Sequence, residues 1–322
     1  ATSISFRTLL GIDNFSLALK ARDLCNKYGL DIFKVGYTLS WAFESYEKGL
    51  LNKDDTNGLE LKWGNEDILI KLIKKMAKKE GFGKILSSGA AKAAEKYGEK
   101  AKKHALAVKE QELEGMPLRK AYVPALGIAT AEPGPDHTRF YPPYPPNPSI
   151  LNEQIKEDLP FDISNALDTS SPVEKGTLVK WLTDSRAVLE SFPFCVFLAR
   201  DKVHVDFRFW TELFNAATGM ELSFDDLMKA GERIVNLERS MIVRYGYRRG
   251  DDTLPGRMLE DSAPSRYVSS ISNETLEKMK DNYYKDREWD KDTGIPTKNK
   301  LNDLELHFVV EDLEEDGIYE ED

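Results

Sequence analysis

The chain has 322 residues, of which 41% are hydrophobic and 31% are charged, and its formal net charge is −10 at pH 7. This composition is typical of a globular protein with about two domains, and it argues against fibrous and intrinsically disordered classes. The acidic balance argues against nucleic-acid binding, which needs a basic surface. The sequence has no long apolar run, so no membrane-spanning helix is predicted.

The sequence contains two cysteines, Cys25 and Cys195. Two thiols cannot build a disulfide framework, so we expect a protein of the reducing cytoplasm. The first residues show no basic segment followed by an apolar one, and no signal peptide is predicted. A metal site with four cysteine ligands from this chain alone is excluded.

The first helices are predicted by apolar residues that recur three and four positions apart. One stripe follows Asn14 and ends at Gly29, a residue type common just past a helix C-terminus. A second stripe covers 39–46, and a third begins after Asn65, a good N-cap residue. The basic run 71–103 is interpreted as the solvated side of two helices.

The middle of the chain changes in character. Residues 115–148 are rich in Pro and Gly, so regular structure is not expected across most of them. We predict a domain junction here, with one helical domain at 1–117 and a second at 118–322. A long ordered Pro-rich loop is expected at 133–148, and loops of this length are often functional.

Helical periodicity returns near Glu174 and continues through most of the remaining chain. Ser223, followed three positions later by Asp226, predicts a capped helix start, and another helix is expected near 276–284. Residues 311–322 carry eight acidic groups and no basic ones, which predicts a solvated acidic tail. Few segments alternate apolar and polar residues, so the predicted fold class is mostly α.

Two residues could carry chemistry, and each has a plain structural alternative. His137 lies between Asp136 and Arg139 in the Pro-rich loop, where it could act as a general acid or base. Its alternative is a loop histidine bonded to a carbonyl. Cys195 is flanked by aromatic residues, and by composition alone it is typical of a small core residue.

Segment 236–257, NLERSMIVRYGYRRGDDTLPGR, holds five arginines together with Glu238, Asp251 and Asp252. We predict Arg–carboxylate pairs that fix helix packing. The repeat YPPYPP at 141–146 could bind an aromatic groove as polyproline II, or serve as a structural loop. No P-loop, dinucleotide-binding glycine motif or hydrolase motif is present.

Several segments, in order, resemble the second and third domains of the aldehyde ferredoxin oxidoreductase family, the tungsten or molybdenum bis-pyranopterin enzymes. The resemblance spans nearly the whole chain, from GIDNFSLALKARDLCNKYGLD at 11–31 onwards. It is most specific in the block at 236–257 and in WDKDTGIPTKNKL at 289–301. It implies two helical domains of this family's type, and the family's N-terminal β domain has no counterpart in this sequence.

The resemblance implies pterin contacts at two motifs of the form Asp-x-x-Gly-Leu-(Asp or Cys). Asn26, Gly29, Leu30 and Asp31 match the first motif, with Asn in place of the leading Asp. These four residues are therefore expected to bind the cofactor.

The second motif is occupied by Glu190, Phe194 and Cys195. Glu190 and Phe194 would contact the pterin, and Cys195 would be one thiolate of a [4Fe–4S] cluster completed by three cysteines from outside this chain. His137 falls where the family has a histidine beside the metal, and its implied role is proton transfer or substrate orientation. Arg139 falls at a basic position that contacts the pterin.

The resemblance implies oxidation of an aldehyde or related carbonyl substrate to a carboxylic acid. The cofactor would be tungsten (or molybdenum) bis-pyranopterin, and electrons would pass through the cluster to ferredoxin or another electron-transfer protein. The chain alone is not expected to be active, because the β domain must come in cis or from a partner subunit. Two alternatives stay open: a tungsten subunit related to class II benzoyl-CoA reductase, and a non-catalytic helical scaffold that has lost the cofactor.

Overall fold

The computed structural model describes residues 2–113, 118–119, 121–132, 134–140, 168, 171–192, 207–259 and 270–319. These residues are mostly helical, with one short two-stranded ribbon, so the prediction of a mostly α fold is confirmed. Across the described ranges, no helix is both long and apolar enough to cross a membrane.

The chain divides into two compact units. The first is drawn from residues 1–117 and 254–262, and the second from 118–253 and 263–322. The return of 254–262 to the first unit was not predicted.

An arginine fork holds the returning segment within the first unit. Arg257 donates to both carboxylate oxygens of Glu44, at 3.1 and 2.6 Å, and to Nδ1 of His104 at 2.8 Å. A bidentate pair of this kind fixes orientation as well as distance. Arg257, the last arginine of the 236–257 block, therefore stabilises the first unit.

The first unit opens with a π-helical turn, Ile4–Thr8, and continues with short and medium helices. Its elements are α1 (Phe15–Tyr28), α2 (Ile32–Glu47), α3 (Glu66–Lys78), α4 (Phe82–Leu86), α5 (Ala90–Glu95), α6 (Glu99–His104), the antiparallel strands β1 (Ala107–Val108) and β2 (Gln111–Glu112), and α11 (Gly256–Leu259).

Local signals fix where these helices begin and end. Asn14 caps α1 by accepting a hydrogen bond from Leu17 N, and Gly29 ends it in the left-handed conformation at φ 66°. Asn65 caps α3 in the same way as Asn14 caps α1. The predicted helix bounds at Asn14, Gly29 and Asn65 are confirmed.

Helix α3 shows why the lysine-rich segment stays in water. Ile68, Leu69, Leu72, Ile73 and Met76 are buried on one face, while the lysines of this helix lie on the opposite, more exposed face. The apolar stripe supplies the packing free energy, and the charged face remains solvated. The interpretation of this stretch as a solvated helix side is confirmed for α3.

The described part of the second unit contains helices and two 3₁₀ turns. Its elements are α7 (Tyr122–Thr130), a 3₁₀ turn (His137–Phe140), α8 (Lys175–Glu190), α9 (Phe207–Thr218), α10 (Phe224–Arg244), a 3₁₀ turn (Arg249–Asp251), α12 (Asn273–Arg287), α13 (Lys298–Asp303) and α14 (His307–Glu315). The capping box of Ser223 and Asp226 at the start of α10 is confirmed.

Two expectations about irregular segments need correction. Helix α7 lies inside the Pro- and Gly-rich stretch, because Pro124 falls in its first turn, where a missing backbone donor breaks no helical bond. Residues 311–315 belong to α14, where Leu313 is fully buried. These residues are therefore not a free tail, since the stripe of Val309, Val310 and Leu313 anchors the helix in a core. The acidic side chains Glu311, Glu314 and Glu315 remain exposed, as predicted.

Helices α8 and α10 approach closely at a glycine. A Cβ added to Gly231 would lie 2.1 Å from the carbonyl oxygen of Asp184 and 2.9 Å from Cγ2 of Val188. No side chain fits this gap, so Gly231 sets the spacing of the two helices that carry the candidate site of the second unit.

We expect Gly231→Ala to lower the free energy of unfolding by about 1–3 kcal/mol, because the added methyl group forces the two helices apart. Urea unfolding would measure the change. Gly250→Ala is the matched control, since its Cβ would meet no atom within 4 Å, and it should change stability by less than about 0.5 kcal/mol. Equal stability of both variants would contradict the close-packing argument.

Candidate functional site

The turn that carries His137 is tightly built. Oδ1 of Asp136 accepts hydrogen bonds from Thr138 N at 2.8 Å and Thr138 Oγ1 at 2.7 Å. Phe140 is 1% exposed, and its ring packs so closely on Gly127 that a Cβ there would lie 2.3 Å from it. The turn is therefore fixed at both ends, and His137 is held on a rigid frame.

Arg139 links this turn to two helices. Its Nη1 lies 2.9 Å from Oε2 of Glu190, the last residue of α8, and its Nη2 lies 2.7 Å from Oε1 of Glu238 on α10. Burial opposes the charged form, but Glu238 and Glu190 together raise the pKa of Arg139. The two ion pairs keep this arginine cationic and restrict its orientation.

The same cluster disfavours the charged form of Glu190 and raises its pKa. Partial burial raises the pKa of this carboxyl; the Arg139 and Arg186 charges lower it, and nearby Asp136 and Glu238 add to the rise. The result is a pKa above the ordinary value, although an ion pair normally lowers it. The reason is that the burial of Glu190 opposes its charged form more strongly than the two arginines favour it.

Arg186 supports the turn from α8. Its Nε donates to the carbonyl oxygen of Thr138 at 3.0 Å, and only 2% of its surface is exposed. Thr138 stands between His137 and Arg139, so Arg186 holds the backbone of the residue that separates the two candidate groups.

A buried ion pair of the 236–257 block also lies in the second unit. Arg239 and Asp252 are both 0% exposed and 2.8 Å apart, and Tyr284 donates its hydroxyl hydrogen to Asp252. The guanidinium of Arg239 also lies 4.9 Å from the ring centroid of Trp289. The prediction that arginines of this block pair with carboxylates to fix packing is confirmed by Arg239.

The first predicted pterin motif lies at the junction of α1 and α2. Asp31 caps α2 by accepting from Lys34 N at 2.7 Å, and Gly29 is exposed, with space for a Cβ. Just behind the motif, burial and the nearby Asp31 charge raise the pKa of the Cys25 thiol to about 12. Cys25 is therefore an inert core residue.

A cavity of about 260 Å³ opens beside this junction. Gly29, Leu30 and Asp31 line one part of it, and Thr38 and Glu112 line another. Glu112 accepts from Thr38 Oγ1 at 3.1 Å and from Ala90 N at 2.7 Å. The exposed backbone at the motif and this polar lining fit a heterocycle that carries donors and acceptors on its edge.

Each unit brings some of the predicted residues together. In the first unit, Asn26, Gly29 and Asp31 are exposed, and Leu30 is half-buried against the core. In the second unit, one turn carries His137 and Arg139, and Arg139 pairs with Glu190.

The predicted contact Phe194 and the predicted cluster ligand Cys195 lie outside the described residues. Within the described ranges, no group of three or more His, Cys, Asp or Glu side chains is arranged to hold a metal ion.

Sequence reasoning missed Glu238 and Arg186 as members of the site. Glu238 was noted only as a partner for structural arginines, because nothing local relates it to a turn 99 positions away. Arg186 did carry a signal: it follows Leu182 by four positions and so interrupts the apolar stripe of α8 with a charge.

Comparison with known proteins decides the family. The sequence model described as aldehyde ferredoxin oxidoreductase, domains 2 & 3, matches residues 1–306. This chain belongs to the aldehyde ferredoxin oxidoreductase family. The resemblance inferred from the sequence motifs is confirmed.

The relatives include enzymes named for tungsten. The chain is 35% identical to the tungsten-containing aldehyde ferredoxin oxidoreductase of Pyrococcus horikoshii over 301 residues, which covers 92% of this chain and 46% of that protein. It is 28% identical over 296 residues to a protein of Pyrococcus furiosus named aliphatic sulfonate oxidoreductase, WOR-like subunit, covering 87% and 41%. The chain thus spans about half the length of the curated relatives it matches.

A solved structure shares the fold. The active site complex BamBC of benzoyl coenzyme A reductase, in complex with 1,5-dienoyl-CoA, superposes with a TM-score of 0.83 at 23% identity, covering 100% of this chain and 51% of that one. At this identity, the likeness supports the family fold and carries no conclusion about substrate.

Proposed function

We propose that this chain is the helical part of a tungsten-dependent oxidoreductase that oxidises an aldehyde to a carboxylic acid. Family membership supports the proposal, because relatives 34–35% identical to the chain are named as tungsten-containing aldehyde ferredoxin oxidoreductases. The observation that carries it is the rigid turn of His137, which Arg139 ties to Glu190 and Glu238.

A tungsten bis-pyranopterin, when bound, would supply the two-electron redox chemistry that converts an aldehyde and water into a carboxylate, with release of protons. In the first unit, the residues that would hold it are Asn26, Gly29, Leu30 and Asp31. Arg139 is also proposed to contact the cofactor, since its two ion pairs leave further N–H groups for an acceptor.

His137 is the group proposed to move a proton. A histidine changes charge near neutral pH, so it can accept a proton released during the oxidation and pass it to water. The turn fixed by Asp136 and Thr138 would hold the imidazole in one orientation. Glu190, whose pKa is raised, would lie on the pterin side of the same cluster.

The proposed enzyme also needs an iron–sulfur cluster, an electron acceptor and a further domain. Cys195 would be one ligand of a [4Fe–4S] cluster, with three thiolates from elsewhere, and electrons would leave to ferredoxin or another electron-transfer protein. A β-rich domain, in cis or in a partner subunit, would complete the cofactor site. We expect the assembly to act in the reducing cytoplasm.

Metal analysis of the protein purified anaerobically from its native source tests the proposal. We expect about one tungsten or molybdenum and about four iron atoms per protomer, because one cofactor and one cubane cluster are proposed. Intact mass in the same preparation would show whether a longer chain or a partner is present. A pure 36.5 kDa species without tungsten, molybdenum or iron would overturn the proposal and favour the scaffold alternative.

Substrate tests distinguish the proposed aldehyde oxidation from the benzoyl-CoA reductase alternative. Metal-loaded protein should reduce a ferredoxin or a viologen dye when given an aldehyde. Activity with an aromatic acyl-CoA and none with aldehydes would instead favour the reductase assignment.

A further inference from the structure

Three arginines of the second unit are almost completely buried: Arg186 at 2% exposure, and Arg239 and Arg287 at 0%. Two of them have a buried carboxylate as an ion-pair partner. Arg239 pairs with Asp252 and donates to Gly294 O at 2.8 Å. Arg287 pairs with a second buried aspartate, Asp184, and also donates to a threonine hydroxyl of α8.

Arg186 differs from both. Its Nε donates to Thr138 O, but within the described ranges no carboxylate lies at ion-pairing distance, and its Nη2 is buried without a hydrogen-bond partner. Burial lowers the pKa of Arg186, whereas Asp252 and Asp184 raise the pKa of Arg239 and Arg287 above the ordinary value despite burial. This guanidinium therefore carries a desolvation cost that no direct partner offsets.

The charged groups around Arg186 do not provide that partner. Glu190 and Asp136 are near enough to oppose this lowering of the pKa of Arg186 without reversing it, and both are engaged elsewhere. Oδ1 of Asp136 accepts from Thr138, and Glu190 pairs with Arg139. A bound water or ion is one way to satisfy a buried polar atom that has no protein partner, and for a guanidinium an anion gives the strongest hydrogen bonds.

We propose that Arg186 forms an anion-binding subsite at the His137–Arg139 turn, and that it takes a carboxylate or phosphate group of a bound ligand. The single bond to Thr138 O already orients the guanidinium, so its remaining N–H groups can present a planar fork to two oxygens. Because Thr138 separates His137 from Arg139, the bound anion would fix the turn that carries both. The subsite belongs to this chain and does not rest on the proposed tungsten chemistry.

Direct binding to the 322-residue chain tests the subsite. The probes are inorganic phosphate and acetate, titrated calorimetrically at constant ionic strength made up with chloride, since screening would otherwise change the charge contribution. We expect saturable binding of at least one probe, weakened about tenfold or more in Arg186→Gln, because a charge-assisted bidentate contact is lost. Arg244→Gln is the matched control: it removes an exposed arginine paired with Asp312 and Asp316, and its binding should equal that of the wild type.

Thermal unfolding without added anion gives a second measurement, which stays informative if Arg186→Gln folds poorly. Arg186→Met removes an uncompensated charge and should leave the melting temperature unchanged or higher. It should also abolish the rise in melting temperature that phosphate or acetate gives the wild type. Binding of neither probe, or equal binding by wild type and Arg186→Gln, would overturn the proposal, as would a melting temperature of Arg186→Met lowered as far as that of Arg239→Met.

The source of the anion is settled with the complete metal-loaded protein. If a cofactor phosphate fills the subsite, neither probe should bind until the cofactor is removed. If a substrate or product carboxylate fills it, acetate should still bind, and Arg186→Lys should raise KM with little change in kcat. Failure to find tungsten would overturn the proposed function. The anion subsite would still be decided separately, by whether the chain binds phosphate or acetate.

Discussion

Replacing Arg239 by Met is expected to lower the free energy of unfolding by about 3–5 kcal/mol, the usual cost of breaking a buried ion pair by removing one partner. Asp252 would keep the hydrogen bond from Tyr284 but lose a guanidinium that lies 2.8 Å away in a fully buried position. Gly294 O would lose its donor, and Trp289 would lose the cation over its ring.

Urea unfolding at neutral pH measures this loss. The control is the double variant Arg239→Met/Asp252→Asn, which removes both charges and keeps the shape of the aspartate, so most of the stability should return. A loss below about 1 kcal/mol for Arg239→Met would mean that water reaches Asp252 and that the pair contributes little.

Replacing His137 by Ala in the complete metal-loaded protein is expected to lower kcat by about 10²-fold or more, the usual contribution of a general acid–base group. The imidazole sits on a turn fixed by Asp136 and by buried Phe140, so its removal should not disturb the backbone. The variant should therefore retain the wild-type tungsten content and melting temperature.

Two comparisons separate proton transfer from a structural role. His307→Ala is the matched control, since His307 is bonded to Asn302 at the exposed start of α14, and it should leave kcat unchanged. The pH profile of kcat should lose one limb in His137→Ala and keep it in His307→Ala. An unchanged kcat in His137→Ala would remove this residue from the mechanism.

Local features of the helices could be predicted from the sequence because their signals span a single turn. Asn14, Asn65 and Ser223 cap helices where their side chains can reach the first free N–H groups. Gly29 closes α1 because it adopts the left-handed conformation without strain. Helix α7 was missed because the abundance of Pro and Gly outweighed the fact that Pro124 stands where a helix tolerates it.

The candidate site was only partly predictable. Motif resemblance singled out His137, Arg139 and Glu190, and the structure places them around one turn. It could not supply Glu238 or the unpaired state of Arg186, because a family motif records residue types at positions and not the contacts that they make.

By itself, the sequence determined the helical class, the caps, the apolar stripes and the family. The tertiary structure decided which distant charges meet: Arg139 with Glu238, 99 positions apart, and Arg257 with Glu44, 213 positions apart. The physical reason is one of range. Helix capping and amphipathic periodicity depend on neighbours within about one turn, whereas an ion pair between remote residues depends on which helix faces pack and on which buried charges then lack another partner.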